Sequence, residues 1–353
     1  MKVQASAVSL TNNLFFILIC LFLISCAKPQ IDTLKTLPEW GPSRWMGTLP
    51  SNLSLAQISI PGTHKSNALY GCNFDIRIPI VGVQTGDLWK CQDKPIKEQL
   101  KMGIRYLDIC CRRYGNAFII HHSIIYQHLN FQDVLDACIS FLQENPSETI
   151  ILKIQEEQVA FEPQAGTDSF INIFNTYTNQ YPDLFYKPTN RNARVIPTLG
   201  EARGKIIFLK RFEGSLQSPL GMDIAITENT TSTYNISATE KLRVQDFYKP
   251  KNATEKITYF LPLLEESFGQ NTQVSTLYLN HTSACLLHTI SVIDQTIPAP
   301  YYISIAKDMG NFLLNTLKNK GKGNTGIVAM DFVSPSHCDA IIKTNALIGR
   351  KKQ

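Results

Sequence analysis

Along the chain, short β-branched runs alternate with longer stretches in which apolar residues recur every three to four positions. Leu55 to Ile60 (LAQISI) alternates as a strand does and runs into Pro61-Gly62-Thr63-His64, which reads as a turn. Ile96 to Met102 reads as a short helix with Gly103 as its C-cap, and Ile104 to Cys110 follows as a strand. Ala117 to His122 is another strand. Asn130 is placed to cap a helix in which Phe131, Val134, Leu135, Cys138, Phe141 and Leu142 repeat at helical spacing, and Asn145-Pro146-Ser147 turns the chain into a strand over Thr149 to Ile154. Lys205 to Leu209 and Gly326 to Met330 read as buried strands, with a helix over Ile303 to Leu317 before the second. Strand, helix and strand in short succession predict an α/β fold on parallel strands, either a barrel or a doubly wound sheet.

The N-terminus breaks this pattern. Leu14 to Leu23 is uninterruptedly apolar behind Lys2, too short to span a bilayer and of the length a signal-peptide core has, so residues 1–26 read as an export signal. Leu23-Ile24-Ser25-Cys26 fits a lipoprotein box and Ser25-Cys26-Ala27 fits an ordinary cleavage site, which leaves the mature protein either secreted or lipid-anchored at the cell surface. Residues 27–44 then form a linker and 45–353 one folded domain. With 44% hydrophobic and 18% charged residues the chain is globular rather than disordered, and its length alone leaves one large barrel or two smaller domains open. The net charge of +5 is spread out except at Arg350-Lys351-Lys352, so no nucleic-acid partner is expected while a weak attraction to anionic membrane is. The cysteines beyond the signal show no CxxC spacing, which argues against a zinc framework. Cys72 and Cys91, in a Gly/Pro-containing stretch, are the pair expected to bridge in an exported protein, whereas Cys138 falls on an apolar helix face. Asn52, Asn229, Asn235, Asn252 and Asn280 head glycosylation sequons, usable if the source is eukaryotic.

No GxGxxG or GxxxxGK[ST] follows a strand, which removes the dinucleotide and P-loop classes. In their place, His64, Asp108, His122, Arg211, Asp246 and Asp331 each stand at or just past the end of an apolar run, and in a parallel barrel those ends converge on one mouth. Seven segments, Ser59-Ile60-Pro61-Gly62-Thr63-His64, Gly103-Ile104-Arg105-Tyr106-Leu107-Asp108, Ile120-His121-His122, Asn145-Pro146-Ser147-Glu148-Thr149-Ile150-Ile151, Gly204-Lys205-Ile206-Ile207-Phe208-Leu209-Lys210-Arg211, Val244-Gln245-Asp246-Phe247-Tyr248 and Met330-Asp331, occur in this order. In that order they resemble the bacterial-type phosphatidylinositol-specific phospholipases C, from about Trp45 to the C-terminus. The resemblance implies a single distorted (β/α)8 TIM barrel and cleavage of phosphatidylinositol, or of glycosylated phosphatidylinositol anchors, to diacylglycerol and a cyclic inositol phosphate.

Such a cleavage needs a base for the neighbouring inositol hydroxyl, an acid for the departing glycerol oxygen and positive charge at the phosphate. By the matching motifs His64 is the base, His122 the acid and Asp331 the carboxylate that holds His64, with Asp108 beside them; side chains alternate along a strand, so His121 points away. Arg211, Asp246 and Tyr248, with Gln155 and Glu157, match positions near the inositol headgroup; Lys210 is read as a solvated charge. The chain departs from the resembled pattern where Asp follows the first His and Arg lies two residues past the strand Asp, since these are Lys65 and Cys110 here, and a further Lys is replaced by Gln155. Lys65 is then the replacement cation, with Arg112 as the alternative. Lys65 and Cys110 supply no oxygen cage for calcium, so no metal and no cofactor are expected. The partner is a phosphatidylinositol-containing membrane surface; the apolar stretch from Leu69 to Trp89 reads either as the rim that meets it or as a loop packed inward and closed by Cys72 and Cys91, and the protein is expected to act as a monomer. A catalytically silent inositol-lipid binding protein is the alternative function; a metal-dependent glycerophosphodiesterase is disfavoured by the lack of an acidic cluster near His64.

Overall fold

A computed structural model of the chain describes residues 41–71, 89–123, 125–157, 167–192, 194–269, 274–285 and 301–345. Its strands are β1 (Ile60–Thr63), β2 (Tyr106–Tyr114), β3 (Ala117–His122), β4 (Ile125–Asn130), β5 (Ile150–Glu156), β6 (Ile206–Arg211), β7 (Met222–Asp223), β8 (Thr231–Asn235), β9 (Lys241–Gln245), β10 (Thr276–His281) and β11 (Ile327–Met330). The α-helices are α1 (Ile96–Lys101), α2 (Phe131–Glu144), α3 (Phe170–Thr178), α4 (Leu199–Ala202), α5 (Ala253–Gly269), α6 (Tyr301–Lys320) and α7 (Pro335–Thr344).

Parallel ladders join the strands in the order β7, β6, β5, β2, β1, β11, β10, β9. β8 lies antiparallel on the outer edge of β9, and the β3–β4 hairpin extends from β2. The sheet curls as a distorted (β/α)8 barrel. It is open between β7 and β8, where no ladder forms among the described residues. The connections differ on that side: only a short 3-10 turn, Ser215–Gln217, separates β6 from β7, and only β8 separates β7 from β9, so neither connection carries an α-helix.

The apolar face of α2 is the one the periodicity predicts, with Phe131, Val134, Leu135, Cys138, Phe141 and Leu142 buried, and Asn130 and Asp133 cap its N-terminus reciprocally. Leu55 to Ile60 is different. Leu55–Gln57 forms a 3-10 turn capped by Ser54, and the strand begins at Ile60 and carries Pro61, Gly62 and Thr63 that were read as a turn. A capping box between Ser54 and Gln57 competes with the alternating pattern, and the Pro61 carbonyl accepts from Arg105 N at 2.9 Å inside the sheet.

Two of the recurring sequence segments serve the fold rather than chemistry. Arg105 and Glu148, both fully buried, tie the starts of β2 and β5 through Nε and Nη2 at 2.9 and 2.7 Å from Glu148 Oε2. Glu148 also accepts from Met46 N and Gly47 N, so the amino-terminal face of the barrel is closed by one buried, hydrogen-bonded ion pair. Asn280, expected as a glycan acceptor, is fully buried in β10 and bonded to Gln245 and Phe260, which removes that sequon from the surface. Residues 1–40 and the C-terminal basic tail lie outside the described residues, and no described helix is long and apolar enough to cross a membrane.

Candidate active site

Strand register brings the polar residues together. The ladders pair Thr63 of β1 with Met330 of β11, so the next residues, His64 and Asp331, leave adjacent strands side by side. His64 Nδ1 lies 2.8 Å from Asp331 Oδ1. Gln92 Nε2 donates to His64 O at 2.8 Å and to Met330 O at 2.9 Å, which clamps the two strand ends. Asp331 is 4% exposed, and its Oδ2 is buried with no hydrogen-bond partner.

On the other side of β1, the β2–β5 ladder pairs Asp108 with Lys153 and Cys110 with Gln155, and the β5–β6 ladder pairs Gln155 with Arg211. Paired residues of a parallel ladder share a face, so Asp108 and Lys153 lie in contact, with Nζ to Oδ1 at 2.9 Å in a buried environment. Burial pushes the Asp108 carboxyl up, but the charges of Lys153, His64 and Lys65 outweigh it and hold the group well below the usual carboxylate range.

Lys65 has φ 41°, a left-handed conformation uncommon for a side-chain-bearing residue. Its ammonium donates to Glu157 Oε2 at 2.7 Å and to Cys110 Sγ at 3.0 Å. Burial alone would lower its pKa, but Cys110, Glu157 and Asp108 raise it well above the ordinary lysine value, so it is charged. Glu157 also accepts from Ser123 N at 2.8 Å. Burial pushes Glu157 up; Lys65, His122 and these hydrogen bonds prevail and hold it at about 2. Arg112 stands opposite Ile119 in the β2–β3 ladder, and its charge acts on His121.

His122, at the end of β3, has Nδ1 2.6 Å from Trp89 O, which can only accept, so Nδ1 carries the hydrogen and Nε2 is the nitrogen left for chemistry. Burial, and then the Lys65 charge, lower its pKa to about 4. His121 is buried and packs on Tyr126 with ring centroids 5.7 Å apart, as alternation requires. Arg211 donates to Gln155 Oε1 and Ile226 O, both at 3.1 Å, and approaches Glu228 at 3.5 Å. Tyr248 donates its hydroxyl to the other oxygen of Glu228 at 2.9 Å. Asp246 faces His281, with Oδ1 3.9 Å from Nδ1. Lys210 is fully buried against Ser215 O, Ser218 O and Asp223, not solvated as its charge suggested.

Five participants were missed by sequence reasoning. Lys153, His281, Gln92, Glu228 and Cys91 all adjoin residues that were named. Lys153 had a signal, a lone charge inside the apolar run Ile150 to Ile154; His281 had another, a polar residue ending the run LYL. His281 sits edge-on to His64 with ring centroids 6.1 Å apart. Cys91 is a free, buried thiol in the described structure, and Cys72, the partner expected for it, lies outside the described residues. So does most of the apolar stretch read as a membrane rim, residues 72–88.

A distorted parallel barrel with a His–carboxylate pair and a second histidine at the carboxyl ends of its strands is the class of a barrel phosphodiesterase. The family described as phosphatidylinositol-specific phospholipase C, X domain, matches residues 68–212. The 1-phosphatidylinositol phosphodiesterase of Listeria monocytogenes is 29% identical over 339 residues, covering 93% of this chain and 96% of that protein. The enzyme of the same name from Staphylococcus aureus (strain Newman) is 29% identical over 310 residues, covering 85% of this chain and 90% of the relative. Among solved structures, a variant of the phosphatidylinositol-specific phospholipase C from Staphylococcus aureus superposes with a TM-score of 0.72 at 26% identity, covering 86% of this chain and 98% of that one. The Listeria monocytogenes enzyme superposes with a TM-score of 0.63 at 28% identity, covering 86% and 99%. Residues 68–212 thus match the X domain of the phosphatidylinositol-specific phospholipases C, and the chain over most of its length is similar to the bacterial enzymes.

Proposed function

We propose that this protein cleaves phosphatidylinositol, free or as the glycosylated anchor, by intramolecular attack of the inositol hydroxyl neighbouring the phosphate, releasing diacylglycerol and a cyclic inositol phosphate. The observation that carries the reading is the His64 Nδ1 to Asp331 Oδ1 contact at 2.8 Å. A buried carboxylate there fixes the ring and stabilises the imidazolium, so His64 takes the hydroxyl proton on its other nitrogen as the oxygen closes on phosphorus. His122 returns a proton through Nε2 to the departing glycerol oxygen. Burial, and then the Lys65 charge, keep it uncharged near neutral pH in the free protein, and a phosphodiester anion beside it would offset the Lys65 contribution and favour its protonation. Lys65 supplies positive charge to the phosphate, and Asp108 with Lys153 forms the polar layer below. Arg211, Asp246 and Tyr248, with Gln155 positioning Arg211 and Glu157 positioning Lys65, suit the inositol hydroxyls, because a polyol requires both donors and acceptors.

Metal-independent action is supported by the pairing of the carboxylates: Asp108 is matched by Lys153 and Glu157 by Lys65, so neither is spare for the oxygen-rich cage calcium requires. Exposed Tyr70, packed on His128 at 4.7 Å, and exposed Tyr126 lie by the β3–β4 hairpin and suit contact with a lipid interface. Export of the protein, secreted or lipid-anchored, rests on the character of residues 1–26. The engagement of Lys65 by Glu157 favours the silent binding reading as the alternative.

The test is release of cyclic inositol phosphate and diacylglycerol from phosphatidylinositol vesicles with a chelator present. Wild type should release both, and His64→Ala and His122→Ala should each lose about 10²- to 10⁴-fold in turnover with folding intact. Binding to the same vesicles with no product from wild type would establish the silent reading instead.

A further inference from the structure

Cys91 lies beside the acid–base pair without a role in it. Its backbone is tied to both walls of the mouth, N donating to Ala68 O and O accepting from Phe332 N, each at 2.8 Å. The thiol is thereby held in place: one ligand atom each from Cys91, His64 and Asp331 lie within 4.8 Å of one another, and Cys91 Sγ is 3.8 Å from His122 Nδ1. Asp331 adds the second, independent sign of a missing ligand, since Oδ2 is buried with no partner while Oδ1 holds His64. An acceptor left bare in a buried position is costly unless a cation or proton visits it.

We propose that His64, Cys91 and Asp331 form an inhibitory site for zinc, resting on the reading of His64 and Asp331 as base and positioning residue. A sulfur, an imidazole nitrogen and a carboxylate oxygen are the borderline-soft donor set that selects zinc over magnesium or calcium. Ligand atoms of a tetrahedral zinc centre stand about 3.5 Å apart, given Zn–S and Zn–N lengths near 2.3 and 2.0 Å. The ligand atoms now lie within 4.8 Å of one another, so bringing them to that spacing takes side-chain shifts of about 1 Å. Three protein ligands leave the fourth position to water. Zinc exchanges three of its waters for the Cys91 sulfur, a His64 nitrogen and an Asp331 oxygen; the thiol releases its proton to solvent, the His64 ring keeps its one N–H on the nitrogen that does not bind the metal, and the His64–Asp331 hydrogen bond is given up. Zinc at this point claims Asp331 and a nitrogen of His64, so the ring loses both its orienting carboxylate and its freedom to accept the inositol proton. Zinc bound there therefore stops turnover without unfolding the protein.

The site is tested on the full chain, stripped with a chelator that is then removed. Competition with a chromophoric chelator should show one zinc per chain in wild type, and cobalt(II) in its place should show a thiolate-to-metal charge-transfer band. In Cys91→Ala both should disappear, and Cys91→Ser provides the same comparison if the alanine variant does not fold. Zinc should inhibit phosphatidylinositol cleavage at least tenfold more strongly in wild type than in either variant, each measured against its own zinc-free rate. Equal zinc binding by wild type and the Cys91 variants, or none by wild type, would overturn the site. Cysteine-dependent zinc binding by a protein that cleaves no phosphatidylinositol under any condition would leave the site standing and remove the phospholipase reading.

Discussion

Lys65 and Cys110 occupy positions where the resembled family pattern has a carboxylate and a guanidinium, and their side chains are in contact, with Nζ 3.0 Å from Sγ. The charges have been redistributed rather than exchanged: the cation now stands on the residue after His64, burial pushes the Cys110 thiol up to about 12 and so keeps it neutral, and the counter-charge of Lys65 is Glu157. A compact ammonium cannot grip two phosphate oxygens in one plane as a guanidinium does. Lys65→Ala should therefore lower turnover at least tenfold with little change in lipid binding, because a charge-stabilising donor of this type lowers the barrier by about 3–4 kcal/mol. Lys65→Asp combined with Cys110→Arg should restore or raise turnover by putting the guanidinium back beside the phosphate. Cyclic phosphate release by the single and double variants decides it; an unaffected Lys65→Ala would move the role to Arg112.

At the scale of elements, β1 has the least room. Gly62 stands opposite Tyr106 in the β1–β2 ladder, and a Cβ there would lie 2.7 Å from Tyr106 Cδ1 and 2.8 Å from its Cβ. The glycine is needed for close approach, not for an unusual backbone angle, and it lets an aromatic ring fill the lumen directly beneath the layer of His64 and Asp108. Gly62→Ala should destabilise the fold by about 1–3 kcal/mol, the usual cost of overpacking. Chemical denaturation measures it. Because His64 directly follows β1, the same variant should lose turnover out of proportion to its small size, and a variant of unchanged stability would show that the ring can move aside.

Over the whole molecule, the polar layer at the mouth makes stability depend on acid. Glu157 is held at about 2 and Asp108 well below the usual carboxylate range. Both folded values lie below the unfolded values of about 4, so their stabilisation is present above that pH and is lost as pH falls towards the folded values. The denaturation midpoint should drop between about pH 5 and pH 2. In Lys65→Met, Glu157 loses its main partner and its carboxylate becomes the costly form, so the acid-side slope should flatten; superimposable profiles for the two proteins would show that the pair does not couple to folding.

Much of the site was legible before any fold was in hand, for a local reason. Periodicity encodes burial, so the strand–helix succession, the cap at Asn130 and the polar residues ending apolar runs, His64, His122 and Asp331 among them, are written in consecutive residues. Where local signals conflicted they misled: the alternation of Leu55 to Ile60 lost to the cap at Ser54, and Pro61-Gly62 served a strand in place of a turn. What no local pattern carries is which charge meets which. Glu157 reaches Lys65 across 92 positions, Asp331 reaches His64 across 267, and Lys153 reaches Asp108 across 45. The sequence by itself determined the parallel α/β class and most of the residues at the mouth. The tertiary structure alone decided that Lys65 is countered by Glu157, that the thiol of Cys91 is free beside His64, and that the ring opens between β7 and β8, because strand register and barrel curvature set those contacts.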